Sequence, residues 1–328
     1  MHISRRLQRS TGMVLACLLL IAGCSKSAIT PSESGSPSVE GTASPSGSIR
    51  IDGSSTVFPI SMAVAEEFGS AFPKIKVPVK QSGTGGGMKQ FTVGEVDICD
   101  ASREIKESEV EACKANGVEY IELTVAFDGM AVVANPENDW CDCITVEQLK
   151  NIWRPESDGQ ITKWSDVNPD WPDEELKLYG PGTDSGTFEY FTEAVVGEAR
   201  ASRPDYTASE NDNALVRGVA ADKGALGYFG YAYFAENKDQ LKLLSVNDGK
   251  DCVAPSEETV RDGTYTPLSR PLFIYVSKES LTRPEVVKFI KFYLDNVEQL
   301  SSEVGYVPIT EAVAKENNKL LEEALNKS

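Results

Sequence analysis

Gly182-Thr183-Asp184-Ser185-Gly186-Thr187-Phe188-Glu189-Tyr190-Phe191 reads as a loop that empties into a helix, with hydroxyls and bare amides at its mouth. The first amides of a helix lack intrahelical acceptors and sit at the positive end of its dipole, so Ser185, Gly186 and Thr187 offer N–H and O–H donors to an oxyanion. Behind the mouth, Phe188, Phe191, Thr192 and Val195 recur at helical spacing and anchor the helix on a core. Taken alone, the stretch is as well explained as a capped helix start without a ligand, because Asp and Ser are ordinary N-caps.

Two further stretches carry the same chemistry. Gln81-Ser82-Gly83-Thr84-Gly85-Gly86-Gly87-Met88 follows the run Ile75-Lys76-Val77-Pro78-Val79-Lys80, and Asp52-Gly53-Ser54-Ser55-Thr56-Val57-Phe58 follows another short apolar segment. Three such loops, each after a strand and before a helix, are hard to explain as unrelated caps. In open α/β sheets, ligands sit beyond the carboxyl ends of strands, where these loops gather.

The flanks of these loops alternate strand and helix. Strands are expected at Ser48 to Asp52, Ile75 to Lys80, Val96 to Ala101, Leu176 to Tyr179 and Leu272 to Val276. A long extended stretch, Tyr120 to Ala134, is interrupted by Asp128-Gly129, and Gly224 to Tyr233 reads as a buried strand and turn. Helices are expected at Pro59 to Phe72, from the glycine loop through Phe91, at Lys106 to Asn116 ended by Gly117, and at Thr145 to Trp153. Asn213 to Ala220, Pro284 to Asn296 and Glu311 to Leu325 follow the same pattern, whereas Trp164 to Pro172 reads as an irregular loop. Repeated βα units imply an α/β fold with mixed, mainly parallel sheets flanked by helices.

The ends of the chain and its composition bound the function. Arg5, Arg6 and Arg9 precede the apolar run Met13 to Ile21, and Ala22-Gly23-Cys24 closes the segment, so residues 1–23 read as a lipoprotein signal peptide and Cys24 as the lipidated residue. Residues 24–47 are Ser, Pro, Gly, Thr and Ala with little to bury, a disordered tether with a span of roughly 25–30 Å. Removing the signal takes away three arginines and the sole histidine, His2, and moves the formal charge from −18 to −21. A mature chain without histidine has no Ser-His-Asp or Cys-His catalytic set and no His-ligated metal, and its acidity argues against nucleic acid. No cofactor and no metal are expected. Five cysteines remain in the body, and export favours pairing Cys99 with Cys113 and one of Cys141 or Cys143 with Cys252.

Taken together, Gly53 to Pro59, Ser82 to Gln90, Gly182 to Thr187 and Gly224-Ala225-Leu226-Gly227-Tyr228 resemble the phosphate-binding receptor of bacterial ABC phosphate transporters. The resemblance spans most of residues 50–310. It implies a two-lobed periplasmic-binding-protein fold of type II that closes on phosphate, monomeric, extracytoplasmic, tethered to a membrane by its lipid and partnered by the transmembrane subunits of an ABC permease. Lobe 1 is expected over 48–133 plus 265–325 and lobe 2 over 134–264, with the helical C-terminal part returning to the first sheet.

Carried over residue by residue, the family's first loop falls on Ser55, Thr56 and Val57, its glycine-loop serine on Thr84, and its Ser-Gly-Thr hole on Ser185, Gly186 and Thr187. The chain departs from the pattern in two places. Where well-known members have an Asp after an Ala-Ser pair, Asp100-Ala101-Ser102 is followed here by Arg103; where they have an Arg just before the Ser-Gly-Thr hole, none stands between Arg154 and Arg200. Arg103 is therefore expected to supply the guanidinium, and Asp128 or Asp184 the carboxylate that accepts the proton of HPO4²⁻, with Asp128 favoured. A sensor or structural surface protein of the same fold, or a phosphate-ester hydrolase using Ser or Thr, would draw on the same loops.

Overall fold

The computed structural model describes residues 46–326 of the 328. The expected signal peptide, the lipidated Cys24 and nearly all of the expected tether lie outside the described residues. Gly47 and Ser48, at the tether's end, already pair in parallel with Ile75 and Lys76.

The spine of the fold is one strand of 15 residues, Tyr120–Ala134. Its first half alternates, with Ile121, Leu123 and Val125 buried between half-exposed neighbours, as a strand with one packed face does. From Met130 to Ala134 every residue is buried. Asp128-Gly129, expected to interrupt the strand, instead marks where it changes partners. Tyr120 to Gly129 pairs antiparallel with Ser269–Ser277, and Met130 to Ala134 pairs antiparallel with Ala225–Gly230. Lys242–Leu243 also pairs with its end.

Parallel strands extend the sheet in both directions from this antiparallel middle. On one side Ser269–Ser277 meets Ile98–Ala101, which continues in parallel to Ile51–Gly53 and Val79–Lys80. On the other, Ala225–Gly230 continues in parallel to Lys177–Gly180 and Thr207–Ala208. The expected βα units thus form the wings, and the fold is two-lobed around a shared strand. The strand read as Ile75 to Lys80 is two short pieces, Ile75–Lys76 and Val79–Lys80, because Pro78 between them has no N–H to give a ladder. The loop read at Trp164 opens with a one-turn helix, Trp164–Val167, and the Gly224 segment runs on into a helix, Tyr231–Glu236.

Apolar side chains gather accordingly. One cluster joins Val64 and Phe68 of helix Phe58–Ala71 to Leu123, Ile274, and Phe289 and Tyr293 of helix Pro284–Glu303. Phe68 and Phe289 meet edge to face at 5.1 Å. A second gathers Met130 to Ala134 with Trp153, Phe191 and Tyr228, where Phe191 stacks on Tyr228 at 3.7 Å and Trp153 meets the same ring edge-on at 4.9 Å.

The cysteine pairing is half corrected. Cys143 and Cys252 form a disulfide across a small three-stranded sheet, with Cα atoms 6.0 Å apart, and Cys141 is a free, buried thiol. Cys99 and Cys113 are not bonded to each other. Both lie in a third apolar cluster with Met88, Phe91 and Tyr275, but the Cys99 sulfur is turned toward Gly87 on helix Thr84–Phe91. They pack there as small apolar groups.

One buried carboxylate ties the start of the described chain to its C-terminal part. Asp97 accepts the Arg50 N–H at 2.8 Å and the Ser280 hydroxyl at 2.8 Å, and pairs with Arg283 at 2.7 Å. Burial pushes its carboxyl up, but these three donors outweigh it and hold it below the ordinary carboxylate value. Asp97→Asn should cost about 2–3 kcal/mol in a urea melt at neutral pH. In the native protein, that contribution is present above the unfolded-state value and lost as pH falls through the depressed folded-state value. Equal melts for protein and variant at pH 7 would refute the assignment.

Candidate anion-binding cleft

The first loop is set by a close backbone approach. Gly53 has φ +148°, and a Cβ there would stand 2.1 Å from the Asp100 carbonyl oxygen, so only glycine brings the two strands to this register. Ser54 then donates its N–H to that same carbonyl at 2.9 Å. Its hydroxyl accepts the N–H groups of Thr56, at 3.2 Å, and Val57, at 3.4 Å. Val57 is buried and caps helix Phe58–Ala71, while Ser55 and Thr56 face a cleft of about 670 Å³.

The glycine loop meets the same cleft. Helix Thr84–Phe91 packs at Gly87 directly on Gly53, where a Cβ would come within 2.6 Å of the Gly53 Cα. Asp52 holds the loop by accepting the Ser82 N–H at 3.0 Å and the Gln90 side-chain amide at 2.7 Å. Thr84 Oγ1 lies 3.1 Å from the Ser102 hydroxyl and accepts the Ser102 N–H at 3.1 Å. Thr84 and Ser102 both line the cleft.

Opposite stands the Gly182 to Phe191 stretch. Ser185 is the N-cap of helix Gly186–Phe191 and accepts the Thr187 N–H at 3.1 Å. Gly186 lines the cleft and abuts the first loop, since a Cβ on it would sit 2.8 Å from Thr56 Oγ1 and 3.3 Å from the Ser55 hydroxyl. A π-helical turn, Thr192–Val196, follows and presents Glu193 and Ala194 to the cleft beside Glu189 and Tyr190.

The cation at the centre is one that sequence reading missed. Arg270 lines the cleft from the start of strand Ser269–Ser277, its side chain 14% exposed. Its Nε and one Nη2 hydrogen reach Asp128 Oδ2 at 3.2 Å, and Nη2 also donates to Thr56 Oγ1 at 3.0 Å. The guanidinium lies over the Tyr190 ring, 3.5 Å from its centroid. The Nη1 hydrogens have no protein acceptor among the described residues. The only advance signal was an arginine inside the run Leu268-Ser269-Arg270-Pro271-Leu272-Phe273-Ile274, where a charge needs a partner.

The other expected residues fall into three groups. Ser55, Thr56, Thr84 and Gly186 line the cleft, with Ser185, Thr187 and Val57 building its walls from behind. Arg103 also lines it, but its guanidinium is bidentate on Glu109 at 2.9 and 2.8 Å and reaches the Glu104 carbonyl. Arg103, expected to supply the guanidinium, is thus already paired with Glu109, while Arg270 brings a second guanidinium to the cleft. Asp128 is buried behind Arg270 as its counter-ion rather than at the cleft surface; burial pushes its carboxyl up and Arg270 pulls it back. Asp184 is exposed and borders an outer hollow with Ser55, Gln81 and Arg200. The carboxylates that line the cleft itself are Glu104, Glu189 and Glu193, and Glu189 pairs with Arg200 at 3.3 Å.

An α/β fold with a spine shared by two lobes and a polar cleft between facing loops defines the class, that of the extracytoplasmic binding proteins. A family model, the PBP superfamily domain, matches residues 38–297, and the chain belongs to that superfamily. Within it the chain belongs to the family of the PstS phosphate-binding proteins. It is 46% identical over 303 residues to protein SphX of a Synechocystis species, covering 92% of this chain and 86% of the relative. It is 36% identical over 286 residues to the phosphate-binding protein PstS of Staphylococcus haemolyticus, covering 86% and 87%. Among solved structures, a possible phosphate binding protein from Planctomyces limnophilus superposes with a TM-score of 0.83 at 53% identity, covering 86% of this chain and all (100%) of that one.

The contact of Gly186 with Thr56 makes closure testable without a ligand. In Gly186→Ala the added methyl overpacks this contact by about 1–3 kcal/mol and favours an open cleft. Small-angle scattering should give a larger radius of gyration than for the native protein, with unchanged far-ultraviolet dichroism; an unchanged radius would mean that the two walls do not meet in solution.

Proposed function

We propose that the protein captures inorganic phosphate in this cleft and delivers it to an ABC phosphate importer. Arg270 carries the proposal. A guanidinium held by Asp128, Thr56 and Tyr190, with its Nη1 donors uncommitted, is preset to bind an oxyanion, and the Ser55, Thr56 and Thr84 hydroxyls surround the place where the anion would sit. Family membership points the same way. Arg103 would join only by leaving Glu109, and Asp128 would act by fixing Arg270.

The remaining features follow from this role. Lobe 1 would comprise 48–133 plus 265–325 and lobe 2 134–264; the separate apolar clusters around Phe68 and Trp153 support two lobes, with Met130 to Val133, Tyr265 and Leu268 packing in the second cluster. A lipid on Cys24 would hold a monomeric receptor at the outer face of a membrane, beside the permease that takes the phosphate. The carboxylates at the cleft, Glu104, Glu189 and Glu193, with Asp184 next to it, would repel a fully ionised sulfate, whereas a phosphate that keeps a proton could donate it to one of them. The role calls for binding and release without turnover.

Calorimetric titration tests this. Phosphate and arsenate should bind tightly and sulfate much more weakly. Arg270→Lys, which keeps the charge but loses the fork, should weaken phosphate binding by about 3 kcal/mol, roughly a hundredfold, and Arg103→Lys by far less. Silence toward phosphate, or an Arg270→Lys variant with native affinity, would overturn the proposal.

A further inference from the structure

Directly beneath the first loop lies a carboxyl group that the site does not use. Asp100 is fully buried, at 0% exposure, and stands in register with Gly53. Its carbonyl oxygen holds the Ser54 N–H that starts the loop. Its side chain reaches the helix that the loop feeds, where Oδ1 accepts the Ser61 hydroxyl at 2.9 Å, and Ser61 in turn lies 3.1 Å from the Tyr293 hydroxyl. Because Ser61 gives its hydrogen to Asp100, Tyr293 is the donor in that second bond. The other oxygen, Oδ2, is buried without a hydrogen-bond partner.

The groups facing Asp100 offer nothing to balance a negative charge. Ser61 comes from helix Phe58–Ala71, Tyr293 from helix Pro284–Glu303, Asp52 from the adjoining strand and Cys99 from its own; its register partner on Ser269–Ser277 is Ile274. None of these is a cation, and Asp52 is a second acid. Burial, with Asp52 adding to it against the Ser61 hydrogen bond, pushes the carboxyl up to about 8. An uncompensated buried carboxylate is far costlier than a neutral carboxyl with one idle oxygen.

We infer that Asp100 is a positioning residue that must be uncharged for the first loop to hold its anion, so that phosphate capture requires a proton on a group the phosphate does not touch. This rests on the phosphate assignment above. With the proton on Oδ2, Asp100 fixes the loop through its carbonyl and the following helix through Ser61 without adding charge. Once the proton leaves to solvent, a carboxylate lies under the loop that must receive a dianion. Bound phosphate and the ionised carboxyl then exclude one another, and by linkage phosphate raises proton affinity at Asp100 as protonation raises phosphate affinity.

The test is titration with inorganic phosphate from about pH 7.5 to about pH 9.5, with affinity expressed per HPO4²⁻ dianion present at each pH, on the native protein and Asp100→Asn. The native dissociation constant should rise toward tenfold per pH unit above the Asp100 ionisation, while Asp100→Asn keeps the neutral-pH affinity to within about threefold and has a flatter profile. Parallel profiles overturn the inference alone; a native protein that binds no phosphate at any pH overturns the phosphate assignment and the inference with it. Infrared spectra of the native protein serve if the variant folds poorly. A carbonyl band of a protonated carboxyl should fade across this pH range and persist to higher pH when phosphate is present, and the lack of a band that titrates and responds to phosphate would also overturn the inference.

Discussion

The ion pair between Arg270 and Asp128 is the constraint on which the cleft depends. Both residues sit at the point where the spine strand leaves one partner for another, and they face each other in register across the ladder, Asp128 on Tyr120–Ala134 and Arg270 on Ser269–Ser277. A buried charge survives only with a partner, so each residue secures the other. What remains of the guanidinium then reaches a hydroxyl on one wall, Thr56, and an aromatic ring on the other, Tyr190. One side chain thereby registers both walls of the cleft.

Around that pair the site is built from backbone approach more than from charge. Gly53, Gly87 and Gly186 each stand where a methyl group would collide with a neighbouring loop or strand. Removing three side chains lets two strands, a helix and the opposite wall converge on one volume. Net charge works against an anion here, since the whole chain is at −18, so affinity has to come from a few donors at close range. That agrees with the proposed capture of the anion by hydroxyls and the Arg270 guanidinium.

The loops were legible because their chemistry is local. Gly-Ser-Ser-Thr, Ser-Gly-Thr-Gly-Gly-Gly and Asp-Ser-Gly-Thr each announce a helix start with hydroxyls, and the structure brings residues of all three to one cleft. The helices at Phe58 and Pro284 were legible from apolar spacing. Arg270 was not, because its role arises from a strand register linking positions 142 residues apart, which no local pattern carries. Arg103 shows the complementary case: Glu109, six residues further on in the first turn of the next helix, takes its guanidinium by a local pairing. For the cysteines, sequence placed Cys99 and Cys113 in one neighbourhood correctly, but a disulfide depends on where each sulfur points, and Gly87 leaves room for Cys99 to turn away.

The spine strand also governs the order in which the chain can assemble. Ile98–Ala101 and the first half of Tyr120–Ala134 are not neighbours in the sheet until Ser269–Ser277 has been inserted between them. Helix Phe58–Ala71 likewise waits for helix Pro284–Glu303 to cover Phe68. The earliest described strands and helix therefore complete their packing last, with partners more than 150 positions away in the chain. Such long-range closure makes for slow folding, and it leaves the early segments extended for a long interval, the condition in which a polypeptide can still be threaded through a translocation pore.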